Sequence, residues 1–207
     1  MAESPPELLN EFRAAMKACE NLYVSSARYC ADFHPEYFNT RSPAEFVQQM
    51  HDLHRALLVK VFAAVVRADW KWSQGERVLA AELLQHLWQQ TLSGEELQLA
   101  MQGMLELEDK LRWVSMVRPL DELPDLRDRV AELETVVLRF ANVVAKFDGE
   151  IHPHESATLR GIQESLDRHL RRVPVNDGNP RAPSPAGASQ AVQEISEAPP
   201  PLPSSHR

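Results

Sequence analysis

Residues 126–155 read LRDRVAELETVVLRFANVVAKFDGEIHPHE. Leu126, Val130, Leu133, Val137, Phe140, Val144 and Phe147 recur at alternating steps of four and three for six turns, the period of one buried helix face. Such a pattern places this helix at the centre of the packing. The helix stops at Asp148-Gly149, because glycine tolerates the left-handed dihedrals of a turn leaving a helix. Pro153 then fits a first helical position, and Leu159, Ile162, Leu166 and Leu170 mark a second amphipathic helix ending near Val173. The stretch is a helix, an acidic loop and a helix.

The same unit occurs earlier. A shift of 79 residues superimposes Leu57 on Val136, Leu58 on Val137, Val61 on Phe140 and Val65 on Val144. Amphipathic helices match at many offsets, so the loop carries the argument. In the same register Asp69 falls on Asp148, Trp72 on Ile151 and Glu76 on Glu155, and beyond the loop Leu83 meets Ile162 and Leu87 meets Leu166. Two such units, about 42–90 and 124–172, can pack as a pseudo-symmetric bundle.

The rest of the chain is helical in pattern too. Ser4, Pro5 and Glu7 open a first helix with Leu8, Phe12, Ala15, Cys19 and Leu22 on its buried face, and 32–40, with His34-Pro35, reads as a loop. Ser42, Pro43 and Glu45 open the second, with Phe46, Met50, Leu53, Leu57, Val61 and Val65 as its stripe to about Ala68. Ser73 with Glu76 forms a capping box for the third helix, on Val78, Leu79, Leu83 and Leu87. Ser93 with Glu96 caps the fourth, whose stripe runs from Leu97 through Leu111 to Val114, and Pro119 and Pro124 bracket a turn. With only 7 glycines and no strand-like alternation, the class is all-α: a compact bundle of about six helices spanning 4–173. From Pro174 the composition changes, the last 34 residues holding 8 of the 15 prolines, which reads as a disordered tail or linker. Its run Pro199-Pro200-Pro201-Leu202-Pro203 suits a polyproline helix able to dock an aromatic groove.

Charge and composition narrow the function classes. A net charge of −8 does not favour nucleic acid or anionic lipid, and the short cluster Arg168, His169, Arg171, Arg172 suits a helix C-terminus. Cys19 and Cys30 form no metal or redox pattern, no apolar run reaches membrane length, and the N-terminus lacks a leader pattern, so the expectation is a soluble, cytoplasmic protein with reduced thiols and no membrane insertion. Neither a nucleophile motif nor a nucleotide-binding fingerprint occurs, so no enzymatic activity is expected.

The segment VVAKFDGEIHPHE, 143–155, resembles the hallmark of the TerB-like family, which comprises tellurite-resistance TerB proteins and the related domain of DjlA co-chaperones. VVRADWKWSQGE, 65–76, is similar but has Trp70 where the family has glycine. The resemblance covers about 42–170 and implies a compact helical bundle with two such units. Residues 10–172 also resemble N-terminal segments of bacterial AAA+ ATPases that carry a TerB-like domain, which would make the tail a linker toward a catalytic part.

The family resemblance further implies divalent-metal binding by acidic loop residues. Asp148, Glu150 and Glu155 offer hard oxygens for calcium or magnesium, His152 adds a nitrogen donor suited to zinc, as does His154, and Asp69 and Glu76 are the first-loop counterparts. An EF-hand is excluded, because Pro153 stands where glycine is needed and Leu159 where a bidentate glutamate is needed. The competing reading is local: Glu76 and Glu155 each stand at a third helical position and complete a cap. His51 and His54 have chelating spacing but no visible third ligand, which favours packing. Trp70 reads equally as a recognition edge or a cover, whereas Trp72 reads as core. The function expected is a non-enzymatic module for protein interaction or sensing, serving a protein partner or larger assembly. The alternatives are a metal-dependent tellurite or stress-resistance protein, and a regulatory domain of an AAA+ ATPase.

Overall fold

A computed structural model describes residues 6–38, 42–68, 72–122, 126, 129–147, 149 and 151–170. The helix start at Ser4-Pro5, the loop residues Asp69, Trp70, Lys71, Asp148 and Glu150, and the tail from 174 lie outside them. Among the described residues the elements are α1 (Pro6–Glu20), α2 (Ser26–Phe33), α3 (Pro43–Val66), α4 (Gln74–Trp88), α5 (Gly94–Glu108), α6 (Trp113–Glu122), α7 (Val130–Lys146) and α8 (Pro153–Leu170). A π turn, Asn21–Ser25, joins α1 to α2, so 6–33 is one continuous helical path and the described chain holds seven helices and no strand. The class is all-α.

Two departures from the expected boundaries have local causes. The first helix continues to Phe33, because the π turn lets Leu22, Tyr23 and Val24 bury in succession where an α-helical face would turn one of them outward. It breaks at His34, the residue before Pro35, whose ring disfavours helical dihedrals there. The expected fourth helix divides into α5 and α6, and Pro119 lies inside α6 instead of marking a turn. A proline there removes one helical hydrogen bond and opens the preceding turn. The buried Tyr23 hydroxyl donates to the Met116 carbonyl, next to the Ser115 carbonyl that Pro119 leaves without its helical donor, at 2.9 Å, and so ties the π turn to α6.

The centre of the bundle is α3, against which α1, α2, α5, α6, α7 and α8 all pack. The reason lies in its composition. From Ala56 to Val66 its residues are buried on nearly every side, as a helix surrounded by others requires, whereas α7 with its clean stripe keeps an outer face for solvent. α7 packs between α1 and α8, and Phe12, Phe62 and Phe140 join α1, α3 and α7, with Phe12 and Phe140 stacked at 5.1 Å. α8 lies along α7, but α4 lies against α1 and α5 and meets α3 through side chains that include His54 and His86. The two helix pairs of the repeat are therefore packed differently.

Candidate functional site

The two repeat loops end on the same cap. In the first, the Ser73 N–H donates to Glu76 Oε2 at 2.8 Å and the Glu76 N–H donates to Ser73 Oγ at 3.0 Å, a reciprocal box that satisfies two helix-start donors. In the second, the His152 N–H donates to Glu155 Oε2 at 2.6 Å, and His152 Nδ1 accepts weakly from the His154 N–H at 3.5 Å. Ser73 and His152 are 79 residues apart, as are Glu76 and Glu155, so both glutamates do the same work in the register of the repeat. Glu76 is buried and Glu155 half-buried. Trp72 and Ile151, the apolar residues of the two loops, both pack against the core.

Of the residues expected to hold a metal, the structure brings Glu155 and His152 together at the start of α8 and places Glu76 at the start of α4. Asp69, Asp148 and Glu150 lie outside the described residues. The fit to a metal is limited by what these donors already do. One oxygen of each glutamate carboxylate is turned to a backbone N–H, and His152 Nδ1 faces the helix, so a ligand set would have to use their other lone pairs. Gly149 adopts φ +100°, which an L side chain resists although nothing crowds the space, and this accounts for glycine after Asp148.

A second polar cluster lies in the first unit, where α1, α3 and α4 meet. His54 is 3% exposed, and its Nδ1 donates to the His51 carbonyl at 2.6 Å. The His51 ring is 5.5 Å from it and the His86 ring 6.2 Å, and His86 Nε2 approaches Glu20 Oε2 at 3.9 Å. Burial pushes the pKa of His54 down to about 3, against the opposing effect of its bond to the His51 carbonyl. His51 and His86 are lowered as well, in each case chiefly by burial. Spacing alone pointed to His51 and His54; their companion His86 lies on another helix and carries no local signal. Among the described residues no group of three or more His, Cys, Asp or Glu is placed to hold a metal ion.

A third cluster closes α5. Lys60, 7% exposed, donates from Nζ to the Glu108 carbonyl at 3.1 Å and to Glu108 Oε1 at 2.8 Å, with the Trp113 ring 5.4 Å away. Arg67 pairs with Glu108 and Asp109. Two cations thus meet the negative end of α5, where the macrodipole favours them. Lys60 carries no local signal in the sequence, because it stands alone in an apolar run and its partner is 48 residues away.

On the outer surface one feature stands apart. Tyr29 is 52% and Phe33 67% exposed, one turn apart on α2, whereas Phe12, Phe46, Phe62 and Phe140 are buried. Their rings are 5.1 Å apart, and His34 continues the row to Tyr37, on which it stacks at 5.1 Å.

Compared with protein-family models, with curated proteins and with solved structures, the chain matches none. Among the described residues no helix is long and apolar enough to cross a membrane.

Proposed function

We propose that this chain is a non-enzymatic, TerB-like helical module for protein interaction. The observation that supports the reading is the aromatic ledge of Tyr29 and Phe33, because paired aromatics left in solvent by an otherwise well-buried set mark a contact surface. The buried polar groups, by contrast, serve helix ends and packing: Glu76 and Lys60 hold helix ends, and His54 bonds within α3. The test is quantitative affinity capture with the full chain and with a Tyr29→Ser, Phe33→Ser variant, followed by titration of the purified partner. A partner bound by the wild type and at least about tenfold more weakly by the variant supports the reading. Equal binding by both chains sinks it.

Metal binding at the second loop is the other reading, through Asp148, Glu150, His152 and Glu155. It is favoured by the gathering of Glu155 with the stacked rings of His152 and His154, 5.3 Å apart, at one helix start. Calorimetry with Ca²⁺, Mg²⁺ and Zn²⁺ tests it. Absence of binding, or binding unchanged by Asp148→Ala with Glu155→Ala, removes it.

A further inference from the structure

We infer that the aromatic ledge on α2 is a polyproline-binding surface and that its occupant is the chain's own run Pro199-Pro200-Pro201-Leu202-Pro203. The inference rests on reading the ledge as a binding surface and names the ligand class.

Among the described residues the exposed large hydrophobics are Tyr29, Phe33, Leu99 and Val114, and the first two are in ring contact on α2. They belong to a row of four rings, Phe33, Tyr29, His34 and Tyr37, with successive centroids 5.1, 5.7 and 5.1 Å apart. Phe38, next to Tyr37, packs on the buried Phe46 at 5.5 Å, which anchors the turn Pro35–Phe38 beneath the row. A line of aromatic rings that carries the exposed phenol of Tyr29 is the kind of surface that proline-rich ligands select. Proline rings lie flat on aromatic faces, and the solvated carbonyls of a polyproline helix accept from hydroxyl donors. The ligand has little entropy to lose, because each proline already fixes φ near ~−65°.

The sequence supplies such a ligand within reach. A three-residue period puts Pro200 and Pro203 on one edge of a polyproline helix, with Pro199 and Leu202 on the next. Between Leu170 and Pro199 there are 29 residue steps, which can span up to about 100 Å. That exceeds the ~30 Å diameter of a small domain, so the run can meet the ledge of its own chain, and the linkage makes the encounter intramolecular. Weak intrinsic affinity is then enough.

The test places a photo-crosslinking benzoylphenylalanine at position 202 of the full chain. The expected product has the mass of one chain, with the link falling within 29–37. Its yield drops at least about tenfold in a Tyr29→Ser, Phe33→Ser background and in a Pro200→Ala, Pro203→Ala background. Both ledge side chains are exposed, and the far-UV circular dichroism and denaturation midpoint of each variant show whether its bundle is intact, so a folding defect in one does not prevent the other from deciding. Links outside the ledge, links joining two chains, or yields that neither variant changes overturn the proposal. An intramolecular link without any captured partner would keep this inference and remove the interaction reading, and the converse result would do the opposite.

Discussion

The two repeat units carry the same apolar stripe but treat their polar positions differently. In the first unit His51, His54 and Lys60 are set into α3, and the first two lie with His86 of α4 in or beside the core. Their counterparts 79 residues on are Val130, Leu133, Arg139 and Ser165, so the second unit has a leucine where the first has a buried imidazole and an exposed arginine where the first has a buried lysine. Position in the bundle explains the contrast. From Ala56 to Val66 α3 is covered on nearly every side, so a charge such as Lys60 must find its partner inside the protein, whereas α7 has an outer face where a charge meets water. Duplicated sequence does not imply duplicated energetics.

The sharpest way to break this comparison is to truncate the matched cations. Lys60→Ala removes a buried charge from the Glu108 carboxylate and from the end of α5, and is expected to destabilise the fold by about 3 kcal/mol. Arg139→Ala, at the exposed equivalent, is expected to stay within about 0.5 kcal/mol. Chemical denaturation of both variants measures the difference. Equal losses would mean that Lys60 is no more embedded than its counterpart.

The histidine cluster gives a smaller effect with a direction in pH. A histidine whose folded pKa is depressed is neutral in the folded state. The unfolded chain then takes up more protons below about pH 6.5, and stability falls as pH falls from there toward the folded value. Unfolded carboxylates titrate near pH 4, so between roughly pH 6.5 and 4.5 the histidines dominate. Over that window His54 alone costs about 2 to 3 kcal/mol. The groups around it are Lys17 and Glu20 from α1, His51 and Arg55 from α3, and His86 from α4. His54→Leu installs the second unit's residue and should flatten the pH dependence of the denaturation midpoint across this window. A variant as acid-sensitive as the wild type would place the sensitivity elsewhere.

What was legible in the sequence follows from the same physics. Caps are written in neighbouring residues, so the boxes at Ser42 with Glu45 and at Ser73 with Glu76 were readable and form as expected, whereas Ser93, expected to cap with Glu96, makes no side-chain cap bond. Stripes report which face of a helix is buried, and the matched positions Leu83 and Ile162, or Leu87 and Leu166, are all in the core. A stripe does not report what lies opposite. The pairing of Lys60 with Glu108, the arrival of His86 beside His54 and the bond of Tyr23 to the Met116 carbonyl each join residues more than 30 positions apart. The regular stripe of α7, expected to mark the central helix, marks a helix with one buried face, and the nearly continuous apolar run of α3 is the stronger sign of a central one. As for the candidate metal site, the residues that could bear a ligand and those that cap the helix are the same, and their spacing fits both uses.

The last contrast is the smallest and bears on the repeat itself. Glu76 and Glu155 accept from the N-cap N–H of α4 and α8, but Glu76 is 6% exposed and sits in a reciprocal box, whereas Glu155 is half-buried and its N-cap residue has no hydroxyl. Removing the buried carboxylate leaves the Ser73 N–H with little access to water, so Glu76→Ala should cost about 1 to 2 kcal/mol. Water can replace the other, and Glu155→Ala should cost about 0.5 kcal/mol. Thermal denaturation of the two variants and of the double variant separates the cases, the double being additive if the two caps act independently. If Glu155→Ala proves the more damaging, its carboxylate does more than cap α8. That outcome would turn attention back to Asp148 and Glu150 as its companions.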